Sequence, residues 1–132
     1  MRKAKTRPET PLRYMENARE TLKRSPTEGN TYLDIKYVKS ACGTAYLGVL
    51  RAIDEYLLKR GLNEWQLPQS IEGYRDAVKR HLSVRNGKLA REFEMLYKAL
   101  HMAGYYRGLL QNTEMVKDAL RAAEDFIKKV RA

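Results

Sequence analysis

The chain has 132 residues, 43% hydrophobic and 32% charged, and its mean hydropathy is −0.65. That length suits one domain with one substantial core, and the composition excludes a chain disordered throughout. No apolar run reaches the roughly 20 residues that span a bilayer, and Met1 to Pro11 lacks the apolar centre of a secretory signal, so a cytoplasmic location without a membrane partner is expected. The formal charge of +10 is the one global hint of a partner, because a basic surface attracts phosphates and acidic surfaces. Arg2, Lys3, Lys5 and Arg7 supply four of those charges. Residues 1–10 therefore read as a basic flexible tail and 11–132 as a single helical-bundle domain.

The first helix opens at Thr10, an N-cap candidate followed by Pro11 at the first helical position, where a missing N–H costs nothing. Leu12, Met15, Ala18 and Leu22 make its apolar stripe. Ser25 to Asn30 contains a proline, a glycine and good capping residues, and reads as a loop. Helix two is expected from Asn30 or Thr31 to Arg60, about thirty residues or roughly 45 Å, with Gly61 as its stop. Ile35, Val38, Cys42, Ala45, Val49, Ile53 and Tyr56 repeat at three and four and form the spine of the core. Ala41, Gly43, Ala45 and Gly48 leave part of this helix nearly bare, which lets another helix approach closely.

After a loop from Asn63 to Pro68, Ser70 caps a short helix with Ile71, Tyr74 and Val78 inward, and Asn86-Gly87 breaks the pattern. A longer helix from Lys88 to Arg107 or Gly108 carries Leu89, Phe93, Leu96, Leu100 and Ala103. Asn112-Thr113-Glu114 restarts the chain for a last helix striped by Val116, Ala119, Leu120, Ala123, Ile127 and Val130. No segment shows the strict alternation of a strand. The fold expected is all-α, an antiparallel bundle of four principal helices plus one short helix.

Chemistry-bearing residues are few. The single cysteine, Cys42, sits among small and apolar residues and reads as core, since it can form neither an intramolecular disulfide nor a zinc site without ligand neighbours. No glycine-rich phosphate loop, zinc-protease helix or apolar carboxylate pair occurs, so no catalytic, cofactor or metal residue is assigned. The densest internal basic stretch, Arg75, Lys79, Arg80, Arg85, Lys88 and Arg91, is the candidate nucleic-acid surface, with Tyr74 beside it for stacking. The competing reading is a solvated face with Tyr74 in the core.

Arg13-Tyr14-Met15-Glu16-Asn17-Ala18, Ser40-Ala41-Cys42-Gly43-Thr44-Ala45-Tyr46, Leu57-Leu58-Lys59-Arg60-Gly61 and Ala103-Gly104-Tyr105-Tyr106 follow one another as in a known kind of bundle. In these features the chain resembles the HEPN family. The resemblance implies an all-α bundle that commonly dimerises and, in many members, a metal-independent ribonuclease using an Arg and a His four to six residues apart. Arg75 and His81, with Asp76 after the arginine, fit that spacing, but the family's motif usually lies near the region that here reads Leu100-His101-Met102-Ala103-Gly104-Tyr105. No arginine precedes His101 at that distance, so the chain resembles a member without the catalytic pair. His81 then reads as a solvated helix residue and His101 as a partly buried, hydrogen-bonded one. The small-residue face of helix two and the aromatic residues near Tyr105 exceed the needs of one core. The expected function is accordingly a non-enzymatic interaction or oligomerisation module, a homodimer with room for a protein partner; the alternative is RNA binding with or without cleavage.

Overall fold

A computed structural model describes residues 10–83 and 87–132. Arg85, Asn86 and the basic tail residues Arg2, Lys3, Lys5 and Arg7 lie outside the described residues. The chain is all-α apart from one small hairpin: α1 Pro11–Leu22, β1 Thr27–Glu28, β2 Thr31–Tyr32, α2 Ile35–Lys59, a 3-10 turn Glu64–Gln66, α3 Ile71–Ala77, α4 Lys88–Leu96 and α5 Thr113–Arg131. Both α3 and α4 continue as π-helix, over Val78–Leu82 and Tyr97–Tyr106.

Side chains set most helix starts. The Thr10 hydroxyl accepts the Arg13 N–H at 3.2 Å, with Pro11 next. Ser70 accepts from Gly73 at 3.0 Å and Asn112 from Met115 at 3.0 Å, each satisfying an orphan amide of the first turn. Gly61, at φ +101°, follows α2, and Gly108, at φ +61°, follows the π segment of α4. There the Leu109 N–H donates to the Ala103 carbonyl at 2.8 Å, a closure one residue wider than the usual six-to-one bond at a left-handed glycine.

The expected start of helix two at Asn30 or Thr31 is corrected. Those residues form an antiparallel hairpin, Thr27 opposite Tyr32 and Glu28 opposite Thr31, turned at Gly29 with φ +59°. The Tyr32 N–H donates to Gln111 and the Thr113 N–H to Asn30, both at 2.8 Å. These backbone groups are thus committed to the hairpin and to the chain entering α5, and Asp34, which accepts from Lys36 at 3.3 Å, caps a helix of 25 residues. The hairpin also corrects the expectation of no strand: its alternation covers too few residues to register as a period.

The core is one cluster drawn from every principal helix. Helix α2 is its axis, contacting α1, the π segment of α4, and α5. Val38, Ala41, Cys42, Ala45, Val49, Ala52, Ile53 and Leu57 are fully enclosed. Two glycines set how closely the neighbours approach. A Cβ on Gly48 would lie 2.9 Å from Tyr14 Cβ and 3.1 Å from the Pro11 carbonyl oxygen; one on Gly104 would lie 2.6 Å from Cys42 Sγ and 2.7 Å from its Cβ. Phe126, absent from the predicted stripe of α5, is buried and meets Phe93 with ring centroids 6.3 Å apart. No helix among the described residues is long and apolar enough to cross a membrane.

Neither Cys42 atom is the far end of a flexible chain, so an added methyl at Gly104 must push α4 away from α2. Gly104→Ala is expected to destabilise the fold by about 1–3 kcal/mol, the usual cost of overpacking, read from urea unfolding. Unchanged stability would contradict the close α2–α4 approach.

Candidate functional site

The basic stretch does not present six unengaged cations. On α3, Arg75 turns toward α4: its Nε donates to the two Glu94 oxygens at 3.2 and 2.9 Å, its Nη1 lies 3.7 Å from Glu72, and its guanidinium sits 5.2 Å from the Tyr97 ring centroid. This bidentate clamp lowers the Glu94 pKa below its ordinary value, chiefly through the Arg75 hydrogen bonds, against an opposing desolvation and with the Arg75 charge adding to the lowering. Arg80 pairs with Asp76 at 2.9 Å. Lys79 is exposed and lies near enough to Glu94 to lower its pKa further; Lys88 and Arg91 are exposed on the first turns of α4, and Arg85 lies outside the described residues.

Arg75 and His81 are not brought together. The π segment starting at Val78 means that they do not share one regular helix. Arg75 is committed to Glu94 and Tyr97, while the His81 carbonyl accepts the Tyr56 hydroxyl at 3.4 Å. Tyr74 packs against the core and donates its hydroxyl to Asp54 at 3.0 and 3.3 Å. Burial raises the pKa of both: the Asp54 charge pushes the Tyr74 phenol further up, while the Tyr74 hydrogen bond partly restrains Asp54. Cys42 is an enclosed thiol that burial pushes up to about 12, so it is a poor nucleophile.

What the fold does assemble is an aromatic row between α2 and α4. His101 stacks between Tyr97 and Tyr105, with centroids 5.4 and 5.8 Å away and both interplanar angles 22°; Tyr46 of α2 tilts against Tyr97 at 6.1 Å and His101 at 5.1 Å. Four residues of α-helix rise about 6 Å. That rise is close to the 5.4 and 5.8 Å ring separations, so residues four apart meet on one helix face; the last bond of the segment, from the Arg107 N–H to the Met102 carbonyl at 2.9 Å, is of the wider π type. Among the described residues no hydrogen bond engages the His101 ring, so stacking replaces the hydrogen-bonded role expected for it. Burial, then Tyr97, raises the Tyr46 phenol to about 12.

Beside this row a groove of about 470 Å³ is lined by Ser40, Gly43, Thr44, Tyr46, Leu47, Leu50, His101 and Tyr105. Leu47 is 53% and Tyr105 47% exposed, while a Cβ on Gly43 would lie 2.8 Å from the Tyr105 ring. On the opposite flank of α4 a second apolar groove joins Met95, Leu96 and Ala99 to Met115, Ala119 and Ala122, edged by Glu92, Asp118 and Asp125. Tyr105 and the small residues of α2 stand out in the sequence, whereas Leu47 and the Tyr97-His101-Tyr105 row do not. The signal for the row was its four-residue aromatic spacing. Among the described residues no group of three His, Cys, Asp or Glu side chains could share a metal ion.

The fold and its surfaces define a small all-α bundle with an aromatic groove and no assembled catalytic constellation among the described residues. A family model described as "Domain of unknown function (DUF5618)" matches residues 7–132, and the chain belongs to that family. It is similar to a protein of unknown function from Dyadobacter fermentans, with 32% sequence identity, a TM-score of 0.73, and coverage of 91% of this chain and 90% of that one. No curated protein matches the chain. Neither match carries a HEPN assignment.

Among the interhelical ion pairs, two have a pH signature. Glu94 is held low by Arg75, and Glu124 by Arg19 and Lys128. Each contributes stability that is complete above the unfolded glutamate range and is lost as pH falls through the lowered folded value. Asp54, raised by burial, works in the opposite sense. Thermal midpoints measured from neutral into acid pH should fall, and Glu94→Gln or Glu124→Gln should flatten that fall. Profiles unchanged in both variants would contradict the pairs.

Proposed function

We propose that this chain is a non-enzymatic interaction module of the cytoplasm that works as a homodimer, joined through the groove between α2 and the π segment of α4. The observation that carries this reading is the continuous apolar surface of Leu47, Leu50 and Tyr105 around the small residues Ser40, Gly43 and Thr44. Exposed aromatic and aliphatic side chains beside a nearly bare helix backbone allow close, self-complementary contact about a two-fold axis. The resemblance to HEPN bundles, which commonly dimerise, supports the same reading. The Met95–Met115 groove suits a second copy less well, because symmetric contact would bring the Glu92, Asp118 and Asp125 carboxylates toward their own copies. The alternative of RNA binding or cleavage has less support, since Arg75 and Arg80 are already engaged by carboxylates.

Sedimentation at high micromolar concentration should show a dimer. Leu47→Glu and Tyr105→Glu should each weaken it by about tenfold or more, the loss of roughly 1.4 kcal/mol that truncating a central interface side chain brings, while Met95→Glu leaves it intact. A wild-type monomer, or dissociation by Met95→Glu alone, would refute the assignment.

A further inference from the structure

Arg19 and Lys23 are four residues apart at the end of α1, and Lys117 and Arg121 are four apart on α5, so each pair shares a helix face. The fold sets the two pairs around one pocket of about 510 Å³, completed by Leu22, Ser25, Thr27, Tyr32 and Leu120. We propose that this pocket binds a phosphate monoester carried on an apolar body, the phosphate held by the four cations and the body resting on Leu22, Tyr32 and Leu120.

Gathering four cations in one concavity opposes folding unless something offsets their repulsion, and the protein supplies only part of that offset. Glu124 engages Arg19, and Asp118 engages Arg121 at 2.7 Å. Lys23 and Lys117 are exposed and form no ion pair among the described residues. The helix macrodipole accounts for cations at the end of α1, but not for Lys117 one turn into α5, where it favours the opposite sign. Positive charge therefore remains for an external anion.

The donors and walls select among anions. Each arginine contacts its carboxylate through one nitrogen and keeps further N–H groups of its planar fork, which matches a phosphate; the lysines add point charge. Thr27 is exposed at the edge and its hydroxyl has no hydrogen bond among the described residues, whereas the Ser25 hydroxyl is already committed, accepting from Asp34 at 3.1 Å and donating to Pro26 at 3.0 Å. Leu22, Tyr32 and Leu120, each at most 5% exposed, offer a fixed apolar wall. The volume lies within the range of small-molecule sites. Such chemistry occurs both in free phosphorylated small molecules and at the 5′ end of a nucleic acid.

Isothermal titration of the full chain tests this with phenyl phosphate, phenol and inorganic phosphate. Phenyl phosphate should bind at least about tenfold more tightly than either of the other two, and added salt should weaken it. The Lys23→Ala/Lys117→Ala double variant, altered only at exposed residues and checked for an unchanged melting temperature, should lose about tenfold or more. Adenosine monophosphate and a 5′-phosphorylated trinucleotide distinguish the sources: tighter binding of the former supports a free ligand, and of the latter a nucleic-acid end. Equal binding of phenyl phosphate and inorganic phosphate, no binding by any phosphate, or affinity unchanged in the double variant would overturn the proposal.

Discussion

The structure depends on how closely three helices can approach α2. Ala41, Cys42, Ala45, Gly48 and Ala52 give that helix a shallow surface along much of its length, and all five are buried. At one end Gly104 comes to rest on Cys42; further along, Gly48 receives Tyr14 and Pro11 from α1 and lies near Ile127 of α5. A stripe of larger side chains would hold the neighbours farther out and leave voids around Met15, Leu100 and Ile127, because interiors pack at crystal-like density. Glycine within a helix costs stability relative to alanine. Here that cost is offset by the packing it permits.

The same close approach shapes the surface. With α4 held against α2 at Gly104, the rings of Tyr97, His101 and Tyr105 lie alongside Tyr46, and Gly43 leaves room for the Tyr105 ring. Within the π segment these rings lie on the flank beside Tyr46 while Leu100 and Gly104 are buried in the core. At the far end of the row, Arg75 spans from α3 to Glu94 and covers Tyr97. The arginine thus fastens a helix junction and closes one side of the aromatic row, a structural task incompatible with offering its charge freely to nucleic acid.

Much of the fold was legible because it is written locally. Thr10-Pro11, Ser70 and Asn112 act through their own side chains on amides three residues on, and Gly61 and Gly108 take the positive φ that ends a helix, so both kinds of signal stand in the sequence itself. The apolar stripes were equally plain. The hairpin was not, because its strands are two residues each and it is tied down in part by Gln111 and Thr113, some eighty residues away in the chain. The π segments were also hidden: Tyr97 to Tyr106 satisfies helical spacing whether its bonds close over four residues or five.

The site was less legible than the fold for a related reason. A run of arginines and lysines announces positive charge but not the carboxylates that a fold sets against it, as Glu94 is set against Arg75. Conversely, Arg19, Lys23, Lys117 and Arg121 form no run at all and meet only because α1 and α5 pack side by side. Leu47 looked like one more apolar residue of a long helix, and its exposure depends on where α4 stops covering α2.

Helix α2 should be the last element to open, since α1, α4 and α5 all rest on it. Native-state amide hydrogen exchange followed residue by residue tests this most directly. Amides from Ala41 to Ile53 should exchange only through global unfolding, with the slowest rates in the chain and a denaturant dependence matching that of complete unfolding. Faster exchange in this stretch than in α5, through openings that denaturant scarcely affects, would contradict it.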